Sequence, residues 1–382
     1  MISFDLTREQ RRIVEKTRDL VREEILPRSL EIDAQGDERF DWSFAALLAK
    51  HNLLCPTIPK EYGGLGLNHL TTALLIEEIA LGCAGVATVL NANIHAASPI
   101  VLAGTREQKE AFLPLLTTSE PVLAAFALTE PEAGSDVGAI SSLAESDGDE
   151  YVITGSKDYV LNASVASFFT VFACVTPIRN RASLRAFIIP ASAPGLSPGT
   201  VKNKIGIRYA NTSEVFLDQV RVSVDNMVGG NRSGSGYLLL TQTLDRGRAL
   251  VGAVAVGIAQ AAYNLALNHA RTRIQFGKPI MKNQAVSFAL AEMATKIELA
   301  RLMTWKACWL IDRDHDHTAA SSMAKWYGSD VALEVTSKAV EILGASGYMA
   351  NTFADKYFRD ARVLATVEGT NNIQKAIIAS LL

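Results

Sequence analysis

Side chains able to do chemistry are thinly spread along these 382 residues, and few sit at telling spacings. The densest cluster is IDRDHDHT (311–318), where His315 and His317 alternate with Asp312, Asp314 and Asp316. Alternation at i, i+2 in a polar linker does not converge four ligands on a metal, so a solvated loop is expected. GGLGLN (63–68) lacks the third glycine of a dinucleotide fingerprint and opens no βαβ unit, so it reads as a tight turn. Walker A is missing, since Pro279 follows Gly277 and Lys278; GxSxG and HExxH do not occur either. The most informative stretch is ALTEPEAGSD (127–136), small and turn-forming, after the strand-like VLAAFAL. Its backbone N–H groups, with the hydroxyls of Thr129 and Ser135, suit a polar ring edge or a phosphate. Glu130, Glu132 and Asp136 would repel an anion unless their side chains point away.

Three kinds of element must position these residues. Up to about residue 121 the chain reads helical. Thr7 and Gln10 form a capping box before a periodic helix that Pro27 should end. Asp41 caps FAALLAKHNLL, apolar helices fill 69–82 and roughly 84–103, and Thr105 with Gln108 gives a second capping box. From 122 to about 228 the segments are short, β-prone and punctuated by prolines, including Pro121, Pro177 and Pro190. No long helix separates them, so a mostly antiparallel sheet is expected rather than a doubly wound one. GGNRSGSG (229–236) marks a second boundary. Long helices follow near 237–272, 281–312 and 320–345, with shorter ones near 353–361 and 371–381. The expected domains are 1–121, 122–230 and 231–382.

Composition narrows the function. Lys and Arg total 37 against 40 Asp and Glu, a net charge of −3, which offers no broad surface for nucleic acid. Four scattered cysteines and the charged start MISFDLTREQRR fit a reduced, cytoplasmic protein. Residues 79–105 and 249–270 carry no Asp, Glu, Lys or Arg, enough to raise the question of a membrane span. Asn91, Asn93, His95 and Pro99 interrupt the first run, and Gln260, Asn264, Asn268 and His269 the second. Buried bundle helices without membrane contact are therefore expected.

ALTEPEAGSDVGA resembles a signature of the acyl-CoA dehydrogenase family. ARTRIQFGKPI (270–280), NQAVSFALAEMATKIELAR (283–301), EILGASGYM (341–349), RDARV (359–363) and VEGTNNIQ (367–374) extend the resemblance in the family's order and spacing. It implies an α+β fold: an N-terminal helical domain, a middle antiparallel β domain and a C-terminal four-helix bundle. It also implies FAD, and α,β-dehydrogenation of an acyl thioester, most simply acyl-CoA. A base takes the α proton while the β hydrogen leaves as hydride to the flavin. By resemblance the base is Glu368, a carboxylate for which an apolar pocket and a helix N-terminus act in opposite directions. Leu128, Thr129, Ser135, Tyr159, Val160 and Leu161 should lie along the flavin. Arg273 and Gln275 should reach the pyrophosphate of FAD held by a neighbouring subunit, with Phe276 and Gln284 in the same adenosine-side region, and Glu341, Gly344, Thr370 and Asn372 should line the adenine and ribose side of FAD. Asp245 and Arg248, with Ser135, should hold the pantetheine arm. The resemblance further implies a homo-oligomer, commonly a homotetramer, that passes electrons to an electron-transfer flavoprotein.

Some positions depart from the family pattern. Leu161 stands where the family carries a threonine whose hydroxyl meets flavin N5; one such bond is worth on the order of 1 kcal/mol. Glu341 and Ala345 alter the usual Q-x-x-G-G, and Asn372 is shorter than the usual Gln or Glu. Residues 83–99 contain no arginine, which argues against a dicarboxylic acyl group. Two alternatives stand beside acyl-CoA dehydrogenation: a dehydrogenase of acyl- or aminoacyl-carrier-protein thioesters, and a flavin-containing, DNA-associated protective relative. The charge of −3 and Glu368 weigh against the second.

Overall fold

Helices begin where the sequence supplies an acceptor for their first N–H groups. In the computed structural model, which describes residues 5–35, 40–176, 180–230 and 234–382, α1 (Arg8–Leu20) starts on the Thr7–Gln10 capping box. Pro27 does not end the helical path. It sits at the start of a 3₁₀ turn (Leu26–Arg28), where its missing N–H is not needed, and α2 (Ser29–Gln35) follows at once. Asp41 caps α3 (Trp42–Lys50) and Asn68 caps α4 (His69–Gly82). Then come α5 (Ala84–Ala103) and, on the Thr105–Gln108 box, α6 (Arg106–Phe112). Pro99 lies inside α5 without breaking it.

The middle of the chain forms one eight-stranded sheet: β1 (Leu123–Ala127), β2 (Leu143–Asp147), β3 (Glu150–Leu161), β4 (Ala166–Cys174), β5 (Leu184–Pro190), β6 (Leu196–Val201), β7 (Thr212–Ser223) and β8 (Met227–Val228). The order is β6-β7-β3-β2-β4-β5-β8, with β1 also beside β4. The sheet is mixed rather than wholly antiparallel: β1 runs parallel to β4 from Leu123↔Ala166 to Ala127↔Val171, and β2 meets β4 in parallel at Leu143↔Cys174. Parallel neighbours need a long connection, and here an irregular loop plus the β2–β3 hairpin provides it. Pro177, residues 231–233 of the boundary loop and the first four residues lie outside the described residues.

The C-terminal part is helical: α7 (Ser235–Thr272), α8 (Gln284–Asp312), α9 (Thr318–Leu343), α10 (Phe353–Leu364) and α11 (Asn371–Ala379), with a small hairpin of β9 (Ile274–Gln275) and β10 (Lys278–Pro279) between α7 and α8. α7 packs on α9, α8, α10, α4 and α5. Close approach is built in at Gly257 of α7, where a Cβ would lie 2.5 Å from the carbonyl of Glu77. α5 and α7 are long and apolar enough to cross a membrane, yet most of each is buried against the other helices and the sheet. One hydrophobic core runs through both helical regions and the inner sheet face (Phe168, Phe172, Ile188); a smaller one lies on the outer face around Phe169, Phe187 and Val215.

Candidate functional site

Glu368 occupies a tight backbone bend. It has φ 57° and Gly369 φ 84°, both left-handed, a conformation that costs a non-glycine residue and persists only where the surroundings enforce it. Those surroundings come from distant segments. Gln374, buried in the first turn of α11, donates to the carbonyls of Glu368 and Gly369 at 3.0 Å each. Lys325 of α9 donates to the Gly369 carbonyl at 2.8 Å and to Asn371 Oδ1 at 2.9 Å. Arg248 Nε of α7 approaches the Glu368 carbonyl at 3.3 Å. Thr370 caps α11, its hydroxyl accepting from the Ile373 N–H. Burial pulls Lys325 down to about 8, with the charge of Glu368 opposing the shift.

The Glu368 side chain points towards α5, where His95 Nε2 lies 3.3 Å from Oε2. His95 is 3% exposed, and its ring lies 5.7 Å from that of Phe126 on β1. On the α7 side only glycine leaves room for it: a Cβ on Gly247 would sit 1.7 Å from His95 Nε2. Beside Gly247, Asp245 and Arg248 pair at 2.5 Å, and Thr318 donates to Asp245 at 2.9 Å. Of the three expected pantetheine contacts, Asp245 and Arg248 are therefore buried and brace each other and the base loop, whereas Ser135 is exposed. Gly247, Lys325 and Gln374 were not singled out from sequence for this site, and His95 only as a polar residue of the first charge-free run. The available signal was a histidine inside a charge-free apolar run.

The second part of the site is the edge formed by β1 and β3. The peptide N–H of Asp158 donates to the Thr129 carbonyl at 2.8 Å, which brings Leu128 and Thr129 beside Tyr159, Val160 and Leu161. The loop after β1 turns tightly, with Glu130 and Ala133 exchanging backbone bonds. Of the three acidic residues of this loop, Glu130 turns inward while Glu132 and Asp136 stay exposed. Glu130 accepts from Lys157 Nζ at 2.7 Å, Ser141 N and Oγ at 2.6 Å and Ser142 N at 2.9 Å. Burial disfavours its charge, but Lys157 and the serines outweigh that and hold it down at about 2. Asp136 accepts from the Gly138 N–H in its own turn. Glu130 is thus neutralised by its partners, which removes its own repulsion of an anionic cofactor beside this edge. Tyr159, left-handed at φ 54° and 65% exposed, offers an aromatic face there, and Ser135 is exposed on the loop. The exposed Ser135 and Tyr159 ring fit FAD lying along this edge.

The remaining expected contacts are at the surface of the single chain. Arg273, Gln275 and Phe276 lie on and beside the β9–β10 hairpin, with Phe276 93% exposed, and Gln284 opens α8. Glu341 pairs with Lys338 on α9, Gly344 closes that helix, and Asn372 is exposed on α11. The 311–318 linker is more than a solvated loop: Asp312 accepts from the His69 and Leu70 N–H groups at 2.6 and 3.0 Å, so α8 caps the start of α4.

Profiles described as acyl-CoA dehydrogenase N-terminal, middle and C-terminal domains match residues 7–120, 125–220 and 234–382. The chain is 39% identical to cyclohex-1-ene-1-carbonyl-CoA dehydrogenase of Geobacter metallireducens, over 99% of this chain and 98% of that protein. Its fold is similar to that of butyryl-CoA dehydrogenase from Megasphaera elsdenii, with a TM-score of 0.95, 34% identity and coverage of 100% and 99% of the two chains. It is also similar to a prolyl acyl carrier protein oxidase, with a TM-score of 0.92, 31% identity and 99% of each chain covered.

Proposed function

We propose a mechanism on one premise: the chain belongs to the acyl-CoA dehydrogenase family, an FAD-dependent group of oxidoreductases. Within that activity, Glu368 is the base that takes the α proton of an acyl thioester. The observation that carries this reading is its placement. The carboxylate projects from a strained bend that Lys325, Arg248 and Gln374 clamp, towards His95 of α5 beside Gly247 of α7. A base held in this way loses little orientational freedom when substrate arrives. FAD, when bound, supplies the acceptor for the β hydride.

The chain's own residues divide the remaining work. Leu128, Thr129, Ser135, Tyr159, Val160 and Leu161 hold the flavin along the β1–β3 edge. Arg273, Gln275, Phe276 and Gln284 belong to the cofactor site of a neighbouring copy, with Glu341, Gly344, Thr370 and Asn372 on its adenosine side. Asp245 and Arg248 brace the thioester arm and the base loop together. Exposed Phe276 supports an oligomer of at least two copies, and we place the protein as a homotetramer with an electron-transfer flavoprotein as acceptor. The acyl group is small or cyclic, a reading supported by the likeness to butyryl-CoA and cyclohex-1-ene-1-carbonyl-CoA dehydrogenases, and carries no distal carboxylate, since residues 83–99 supply no arginine. A carrier-protein thioester is the second reading, favoured by the likeness to the prolyl carrier protein oxidase.

Glu368→Gln tests the assignment. The variant is expected to keep its flavin absorbance but to lose anaerobic bleaching by butyryl-CoA, cyclohex-1-ene-1-carbonyl-CoA and prolyl carrier protein, whichever the native protein accepts. Bleaching at the native rate would remove Glu368 from the role.

A further inference from the structure

His95 has no task in the reading above, yet its position is costly. An imidazole is buried to 3% in an uncharged stretch of α5, and α7 gives up a side chain at Gly247 to admit it. Its Nε2 is 3.3 Å from Glu368 Oε2, but no aligned hydrogen bond has formed, and this nitrogen has no other partner among the described residues. A buried polar atom without a partner is costly, and a small rotation of either side chain removes that cost here.

We propose that His95 is a positioning residue: its Nε2–H donates to the Glu368 carboxylate, so the base works as a histidine–glutamate pair with one oxygen held and the other free for the α proton. This rests on Glu368 being the base. The neighbouring charges are few. α7 contributes Arg248, already paired with Asp245; α9 contributes Lys325, bound to the Gly369 carbonyl; β1 contributes only Phe126. Among the described residues, His95 is the ionisable group in contact range of the carboxylate oxygen that has no other partner. A donor favours the charged carboxylate whether the imidazole is neutral or protonated. Losing it should therefore disfavour the working form of the base.

The test compares His95→Leu, His95→Gln and the native holoenzyme by two independent measurements. The first needs no substrate: the infrared carboxylate stretch assigned to Glu368 by its absence in Glu368→Gln. It should shift in His95→Leu and return towards the native position in His95→Gln, whose amide reaches a similar point. The second is the pH profile of flavin reduction by butyryl-CoA or, if native protein does not accept it, cyclohex-1-ene-1-carbonyl-CoA. Its acidic limb should move to higher pH in His95→Leu, because a donor to the carboxylate is lost, with the glutamine variant between. If His95→Leu does not fold, His95→Asn, too short to reach, serves in its place. An unmoved carboxylate band, or leucine and glutamine variants alike in both measurements, overturns the proposal. Native turnover by Glu368→Gln instead overturns the base assignment, so the two failures are told apart.

Discussion

Lys325 supports the base loop from below, and its environment sets a measurable pH dependence. Burial lowers it from 10.5 to about 8. Between those values the unfolded chain holds a proton that the folded one has released, so this site's contribution to stability rises with pH across that window. Denaturant midpoints of the native protein should gain on those of Lys325→Met between about pH 8 and 10.5. At neutral pH the same variant should reduce its flavin about tenfold more slowly, since a charged donor to the Gly369 carbonyl is lost. Gly247→Ala should displace the His95 ring and cost about 1–3 kcal/mol by overpacking; a native melting temperature with a native pH profile would contradict this. At this scale the sequence was partly legible. Glu368 and the cap at Thr370 could be read from VEGTNNIQ, but the contact with His95 joins residues far apart in the chain, and no local pattern encodes it.

The loop after β1 depends on one inward-facing carboxylate. Glu130→Gln leaves Lys157 buried without its counter-charge and should destabilise the protein by about 3–5 kcal/mol. Because Glu130 is held at about 2, its contribution is fully present above the ordinary 4.5 and is lost as pH falls towards 2. An acid titration of native protein and variant should therefore converge in that range. Asp312→Ala removes the cap shared between α8 and α4 and should cost about 1 kcal/mol, read as a lower unfolding midpoint. The starts of α1, α3 and α6 were legible because Thr7, Asp41 and Thr105 sit within three residues of what they cap. Asp312 was not, because its helix lies 243 residues away. The parallel pairing of β1 with β4 was hidden for the same reason: strand propensity says nothing about which neighbour a strand takes.

Across the whole molecule, the exposed β9–β10 hairpin and the clamped base loop stand on different elements, which suits a cofactor shared between copies. Phe276→Arg should lower the assembly state in sedimentation and release FAD together; loss of neither would argue for a site complete in one chain. The three-part texture was legible because helical and strand periods differ. How the parts share a core was not, since the larger cluster draws on both helical regions and one sheet face. That sharing has a consequence for biosynthesis. α5 leaves the ribosome roughly 130 residues before α7, the helix that covers it. At about 5–20 residues per second this apolar helix waits on the order of ten seconds with α4 as its main helical cover. The nascent chain is then a natural client for holdase chaperones, and slowing translation between the two helices should lower the soluble yield.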